Sequence, residues 1–537
     1  MAADGSAHAQ IPSHLNIADE FVARPAQAHP ERVAILGEPR AFTYREVEEA
    51  VNRAANVFRS WNCAPGDRVL VILPDSIEFI AAFFGAAKIG AIAVPVNSMA
   101  RAADYAYYLA DSGARFAIVH KSVVGEFALE DWPPGFEVMA IAAQGFAEIA
   151  CEVSRYAKGF FAPRIVSWEE QCNTASPNCD SHRTAANDPA FFLYTSGSGG
   201  TPKAAIHRHE DMLHTSRGYA HGVLGLRPDD ITYSVSKLFF AYGLGNGMYF
   251  PFSVGARTVL DPGKPKPERT AELLKKYRPT ILFSVPTFFA ALLREAARGL
   301  DVDCSSLRMA VSAGETLPAE IFEQFKNKFG AEILDGIGST EMLHMFLSSR
   351  PGKARAASCG SEVPGCAAKI LGDDGAEVPR GEIGNLWVRG GSAFAGYWKK
   401  PELTARTKKG EWVLTGDKFT CDADGYFHYC GRADDMMKVA GMWVSPSEVE
   451  NALLAHPDIA EVAVVAHADE NGLLHPAAYV VLKNDVACSE NLSREIREFL
   501  RKNLVSYKCP QTVHFVENLP KTATGKIQRF LLRDANR

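Results

Sequence analysis

No long apolar run, no closely spaced cysteine pair and no excess of charge marks this chain of 537 residues. The most membrane-like stretch, FIAAFFGAAKIGAIAVPV at 79–96, is interrupted by Lys88, two glycines and Pro95. A bilayer span needs about 20 predominantly apolar residues, so the stretch reads instead as a helix followed by a short buried strand. Eleven cysteines are scattered without one Cys-x-x-Cys. The pairs Cys172/Cys179 and Cys359/Cys366 are too widely spaced for the common zinc arrangements. Basic residues number 57 and acidic ones 63, a formal net charge of −6. That balance argues against a dedicated binder of nucleic acid or anionic membranes. The opening MAADGSAHAQ lacks the positive charge and apolar run of an export signal. Together with an odd cysteine count, it predicts reduced thiols and a cytoplasmic protein.

Two phosphate-loop templates are also missing. In YTSGSGGTPK (194–203), Lys203 follows Pro202 and precedes Ala204, so Gly-x4-Gly-Lys-Ser/Thr is not met. Pro202 also occupies the place of the third glycine in the dinucleotide fingerprint. The composition still favours phosphate. Glycines let backbone N–H groups converge, Thr195, Ser196, Ser198 and Thr201 add hydroxyls, and Lys203 supplies a mobile charge. On these residues alone an ordinary polar surface loop is the alternative. Histidines at 207, 209, 214 and 221 suggest a metal, but no carboxylate or cysteine at ligand spacing completes a site.

The length exceeds one ordinary core, so two or more domains are expected. Hydrophobic residues at 47% and charged residues at 22% are globular proportions. Strand-like runs alternate with helical patterns: RVLVIL (68–73), IEFIAAFFGAAKI (77–89), FAIVH (116–120), TILFSV (280–285) and LRMAVSAG (307–314). Such alternation predicts α/β layers with largely parallel sheets. EEQCNTASPNCDSHRTAANDP, from 169, reads as a loop. A boundary falls near 431, where GYFHYC gives way to GRADD. Beyond it SPSEVE (445–450) starts a helix, with Ser445 as cap, Pro446 at the first helical position and Glu448 completing a capping box. About a hundred residues of α+β pattern follow, including EVAVVAH, PAAYVVL and VHFVENLP.

YTSGSGGTPK (194–203), DGIGSTE (335–341), TGD (415–417), GRADDMMKVAG (431–441) and PKTATGK (520–526) occur in an order and spacing that resemble the adenylate-forming superfamily. The resemblance covers essentially the whole chain. KLFFAYGLGNGMYFPFSVGA (237–256) and GIGSTEMLH (336–344) are similar to the benzoate–CoA and hydroxybenzoate–CoA ligases. The implied fold is α/β: a large N-terminal domain (1–431) of layered α/β sheets plus a distorted barrel, a hinge (432–434) and a small mobile C-terminal α+β domain (435–537). The implied activity is AMP-forming ligation of an aryl acid to coenzyme A, with ATP and Mg²⁺.

The resemblance also implies roles. Thr195, Ser196, Gly197, Ser198, Thr201 and Lys203 would hold ATP phosphates, and Glu341 would bind Mg²⁺. Gly314, Glu315, Asp335, Gly336, Ile337 and Thr340 would frame the nucleotide, with Asp417 and Arg432 at the ribose. Lys526, with Lys203, would be catalytic, delivered by rotation at Asp434. Lys438, Gly441 and Trp443 would face coenzyme A, although Lys438 also reads as a solvated surface lysine. Phe240, Ala241, Tyr242, Ile337, Gly338 and His344 would line an apolar slot for the ring. Core packing is the plain alternative for Phe239 or Phe240, and Ser284 or His344 could meet a ring hydroxyl. Two positions depart from the family pattern: Gly199 replaces a hydroxyl residue, and Ala204 replaces the usual glycine. Ile337 stands where many relatives carry tyrosine. An enzyme loading an acid onto a separate carrier protein is the alternative activity; a decayed nucleotide sensor is disfavoured by the presence of Lys526, Glu341 and Asp417. Acetylation of Lys526 by an acetyltransferase, reversed by a deacetylase, would switch the ligase, and a homodimer is possible.

Overall fold

A computed structural model of the chain describes residues 11–127, 132–143, 146–147, 149, 163–196, 201–439, 442–468, 474–483, 486, 488–521 and 527–534. Two large sheets carry the first part. In the nine-stranded sheet, six strands run parallel in the spatial order Ile333–Gly338, Met309–Ser312, Ile281–Ser284, Ile231–Ser234, Arg257–Val259 and Val33–Leu36. Antiparallel strands close both edges. In the eight-stranded sheet, Pro189–Ser196, Ile92–Pro95, Arg68–Ile72, Phe116–His120, Val138–Ala142 and Arg164–Ser167 are parallel. Pro202–Arg208 and Gly396–Tyr397 extend that sheet antiparallel. Strands buried on both faces need helices on both faces, which is why these runs are apolar without alternation.

The interrupted apolar stretch is divided as its residues predict, into helix Ile77–Lys88 and strand Ile92–Pro95. Ser76 caps the helix by accepting from Phe79 N. Every residue from Phe79 to Lys88 is buried, and Phe79, Phe83 and Phe84 belong to the core that joins the two large sheets. Gly85 permits a close crossing with helix Tyr44–Ser60. A Cβ there would lie 2.8 Å from that of Ala54.

A third, antiparallel sheet is built from Cys366–Leu371, Gly384–Gly390, Trp412–Cys421, Lys408–Lys409 and Phe427–Arg432. Beyond it come the ribbon Met437–Val439/Met442–Val444 and a three-stranded sheet of Ile459–Ala468, Leu474–Leu482 and Thr512–Phe515. Helices Pro446–Leu454 and Glu490–Asn503 cover its core.

Two local expectations need correction. The segment from 169 is not all loop. Ser167 caps a short helix, Trp168–Thr174, by accepting from Glu170 N, and Trp168 anchors it against Phe58 and Trp61. Half of the box at 445–448 forms. Ser445 accepts from Glu448 N, but the Glu448 carboxylate turns to Lys508, 2.6 Å away. An ammonium offers that carboxylate a stronger partner than one backbone N–H.

Candidate active site

Lys203 stands on a strand. Pro189–Ser196 and Pro202–Arg208 form a hairpin, with Thr195 opposite Lys203 and Ser196 opposite Pro202. Thr201 is exposed at its mouth. Gly197 and Ser198 lie outside the described residues, as does the side chain of Ser196. Lys203 is the second residue of its strand, so no helix dipole acts at its ammonium.

The lysine's neighbours come from far along the chain. Its ammonium lies 3.3 Å from Glu341 Oε1 and donates to the Tyr397 hydroxyl at 2.6 Å. Tyr397 in turn donates to the same Glu341 oxygen. Burial opposes the charge on Glu341, yet the Lys203 ammonium and the Tyr397 hydroxyl outweigh it and hold its pKa below the ordinary value. Burial and the neighbouring carboxylate push Tyr397 up, so it stays a hydroxyl.

Glu341 is set by the hairpin that carries DGIGSTE. Strand Ile333–Gly338 pairs with Met345–Ser348, and the tight turn Thr340–Met342 lies between them. A Cβ on Gly336 would lie 2.7 Å from Leu347 O, and one on Gly338 2.5 Å from His344 O, so both positions require glycine. Ser339 accepts from Met342 N, and Leu343 takes a left-handed φ of 66° to end the turn. Beneath it His207, fully buried, bonds Thr340 O at 2.8 Å through Nε2 and Asp211 at 2.9 Å through Nδ1. His207 thus props the peptide that precedes Glu341. The other three histidines have structural surroundings too: His209 accepts from Ile17 N, His221 bonds Ser253, and His214 packs on Gly391. Among the described residues no group of three or more His, Cys, Asp or Glu could hold a metal ion. Glu341 is one carboxylate, a donor set that fits a magnesium ion held mainly by substrate phosphates.

Asp335 is buried with one carboxyl oxygen lacking any partner among the described residues, and burial pushes its pKa up to about 8. Gly314, at a φ of 88°, follows the neighbouring strand, and Glu315 accepts from Thr287 at the start of helix Pro286–Ala297. Asp417 and Arg432 face each other on paired strands, joined at 3.0 Å.

The aromatic set converges on His344. Its ring lies 4.6 Å from that of Phe250, 4.9 Å from Tyr219 and 5.5 Å from Tyr242. Burial depresses its pKa to about 3, leaving the imidazole neutral, and Nε2 bonds Asn246 at 3.1 Å. Tyr242 donates to Val311 O and Ser284 O. His344 Nδ1 and Ser284 Oγ are both buried without partners among the described residues. Phe239 is core, whereas Phe240 is less buried and caps the short helix Ala241–Leu244. Ile337 packs at the edge of the third sheet's core.

The small-domain residues are placed in part. Asp434 is exposed, and its carbonyl accepts from Arg533 at 2.9 Å. Lys438 and Trp443 are opposite each other in the ribbon, but their side chains lie outside the described residues, as do Gly441 and Lys526. Lys521 and Ile527 bridge across the 522–526 segment. Tyr397 and His207 are the residues sequence reading missed. Tyr397 lies outside every quoted motif; His207 was noted only as a metal candidate, and the expectation of no carboxylate at ligand spacing is corrected by Asp211, four residues on, which is its buried partner.

Residues 22–398 match the family described as AMP-binding enzyme, and 448–526 match the AMP-binding enzyme C-terminal domain. The benzoate–CoA ligase of Thauera aromatica is 40% identical, over 98% of this chain and 97% of that protein. The 3-hydroxybenzoate–CoA/4-hydroxybenzoate–CoA ligase of the same organism is 37% identical, over 97% of each. Among solved structures, an anthranilate CoA ligase, AuaEII, in complex with anthranoyl-AMP superposes with a TM-score of 0.91 at 36% identity, over 98% of each chain. A benzoate CoA ligase from Burkholderia xenovorans LB400 superposes at 0.86 with 38% identity, over 97% of this chain and 99% of that one.

Proposed function

We infer, from the AMP-binding enzyme family to which this chain belongs, that it is an ATP-dependent aryl acid–CoA ligase acting on benzoate or a hydroxybenzoate. The observation that carries the reading is likeness to the benzoate-type ligases along nearly the whole chain. The uncharged aromatic set around His344 supports it, because a flat apolar acid needs shape and no buried cation.

In the first half-reaction the acid's carboxylate attacks the ATP α-phosphate and expels pyrophosphate. Both reactants are anions, so the site must neutralise charge and align them. Lys203 would leave Glu341 for the phosphates, and Tyr397 would keep the freed carboxylate aimed. Magnesium, when bound, would supply positive charge to the phosphates, and Glu341 is the residue that would hold it. Asp417 and Arg432 would take the ribose, with Gly314, Glu315, Asp335, Gly336, Ile337 and Thr340 around the rest of the nucleotide. The hairpin hydroxyls of Thr195, Ser196, Ser198 and Thr201 would bind phosphate, and Lys526 would complete the charge. In the second half-reaction the coenzyme A thiol attacks the acyl-adenylate and releases AMP. A domain boundary at 432–434, turning at Asp434, would exchange Lys526 for Lys438, Gly441 and Trp443.

No helix among the described residues is long and apolar enough to cross a membrane. The wider reading places the enzyme in the cytoplasm, in breakdown of aromatic compounds, as a possible homodimer. Its Lys526 would be open to acetylation and deacetylation, since acetylation erases the charge that adenylation uses.

The test is pyrophosphate release across a panel of aromatic and aliphatic acids, with and without coenzyme A. Benzoate or a hydroxybenzoate should give the highest kcat/KM, with AMP and thioester formed when coenzyme A is present. A fatty acid exceeding every aryl acid would overturn the assignment. Adenylate that passes only to a carrier protein would favour the loading enzyme.

A further inference from the structure

Asp75 is a buried carboxylate that no part of the reaction above employs. It follows strand Arg68–Ile72 of the eight-stranded sheet and precedes the cap of helix Ile77–Lys88. Its partners belong to the other large sheet's layer. Oδ1 accepts from Leu238 N at 2.8 Å, and Oδ2 lies 3.7 Å from the Lys237 ammonium. Lys237, also buried, donates to the backbone carbonyl of Asp261 at 2.6 Å. An isolated charge in such a place is costly, so each member of the pair requires the other.

The loop held in this way leads directly into the stretch read as the acid site. Phe240 N bonds Lys237 O at 3.0 Å, and Phe240 caps the helix that carries Ala241 and Tyr242. Gly243 rests on the same loop so closely that a Cβ would overlap the carbonyl oxygens of Ser236 and Lys237. A shift of Lys237 or Leu238 therefore passes to Tyr242 through backbone, with no soft side chain between. We propose that Asp75 and Lys237 are a positioning pair that sets the shape of the aryl pocket from behind, joining it to the second sheet.

The proposal rests on the reading of 237–256 as the acid-binding segment, and it adds residues that touch neither acid nor nucleotide. Asp75 titrates within reach of experiment: burial raises its pKa to about 6, against the pull of Lys237 and Leu238 N, while Asp261 raises it further. Tyr233, also buried, and Arg269, which pairs with Asp261 at 3.3 Å, are the other ionisable groups facing this cluster.

Asp75→Asn, Lys237→Met and the double variant should be assayed for KM of benzoate, KM of ATP and kcat. Each single change should raise the benzoate KM about ten-fold while ATP KM stays within about twofold. The preference for benzoate over bulkier ring-substituted acids should narrow. The double variant, which leaves no lone charge, should lose less than the product of the two singles. In wild type the benzoate KM should rise as pH falls through about 6, and Asp75→Asn should lack that rise. Losses shared equally by kcat and both KM values, or independent effects that simply multiply, would overturn the pair's role. If wild type prefers an aliphatic acid, the aryl assignment fails separately. The pair is then judged by the same contrast between that acid's KM and ATP's.

Discussion

At the scale of single residues, Tyr397 is the most exposed to test. It sits between Lys203 and Glu341, accepting from one and donating to the other. Tyr397→Phe keeps the ring under Lys203, 4.2 Å from its centroid, and deletes only the hydroxyl. A hydrogen bond to a charged group is worth about 1.5–3 kcal/mol. The variant should therefore need about ten-fold or more magnesium for half-maximal adenylation, with a smaller loss at saturating metal; magnesium titration of pyrophosphate release checks this. Asp335 gives a pH signature. Its pKa is raised from 3.8 to about 8 by burial, so the folded chain holds a proton that the unfolded chain has released across that window. Stability from this group is therefore greatest at low pH and declines as pH rises toward about 8. Asp335→Asn cannot ionise. Its Tm, measured against wild type between about pH 5 and pH 9, should gain progressively as pH rises, and parallel curves would refute the assignment.

At the scale of elements, the site is built where backbones approach too closely for side chains. The hairpin of Ile333–Gly338 with Met345–Ser348 admits only glycine at 336 and 338, and this turns Glu341 toward Lys203. The short helix Ala241–Leu244 is seated by Gly243 in the same fashion. Gly243→Ala leaves helical propensity improved by about 1 kcal/mol, so local propensity alone predicts stabilisation. Packing predicts the reverse, because the Cβ meets backbone that cannot yield cheaply. The variant should be destabilised by about 1–3 kcal/mol, and its benzoate KM should rise more than its ATP KM. Urea unfolding and paired kinetics decide between the two expectations.

At the scale of the whole molecule, the proposed swivel has little freedom. Ala433 N bonds Gly416 O at 2.9 Å, tying it to the third sheet. On the other side Arg533 binds the Asp434 carbonyl and pairs with Asp435 at 2.8 Å, tying the following peptide to the C-terminal helix Arg529–Asp534. The dihedrals between these ties are those of Ala433 and Asp434, and Asp435 N and Met436 N both bond Arg432 O at 3.0 Å across them, so a rotation there must open that turn. Asp434→Pro fixes one of them and restricts the residue before it. If rotation separates the half-reactions, one of them should slow by about ten-fold or more relative to the other. Adenylation followed by pyrophosphate release, and thioester formation from supplied benzoyl-adenylate, would measure each half. Equal losses would place the turning point elsewhere.

Much of this protein's chemistry was legible in order and spacing alone. Five motifs in order pointed to the family that residues 22–398 and 448–526 match, because a short loop with special chemistry needs particular residue types locally, and local need leaves a local trace. The division of 79–96 into helix and strand was legible for the same reason, since Lys88, Gly90 and Pro95 punctuate it. What tertiary structure alone decided are the partners across long separations. Tyr397 meets Lys203 across 194 positions, and Asp75 meets Leu238 across 163. Nothing in their neighbouring residues announces such contacts. Burial does the rest: it sets Asp335 to hold a proton and His344 to stay neutral, because desolvation depends on how the layers close over a side chain.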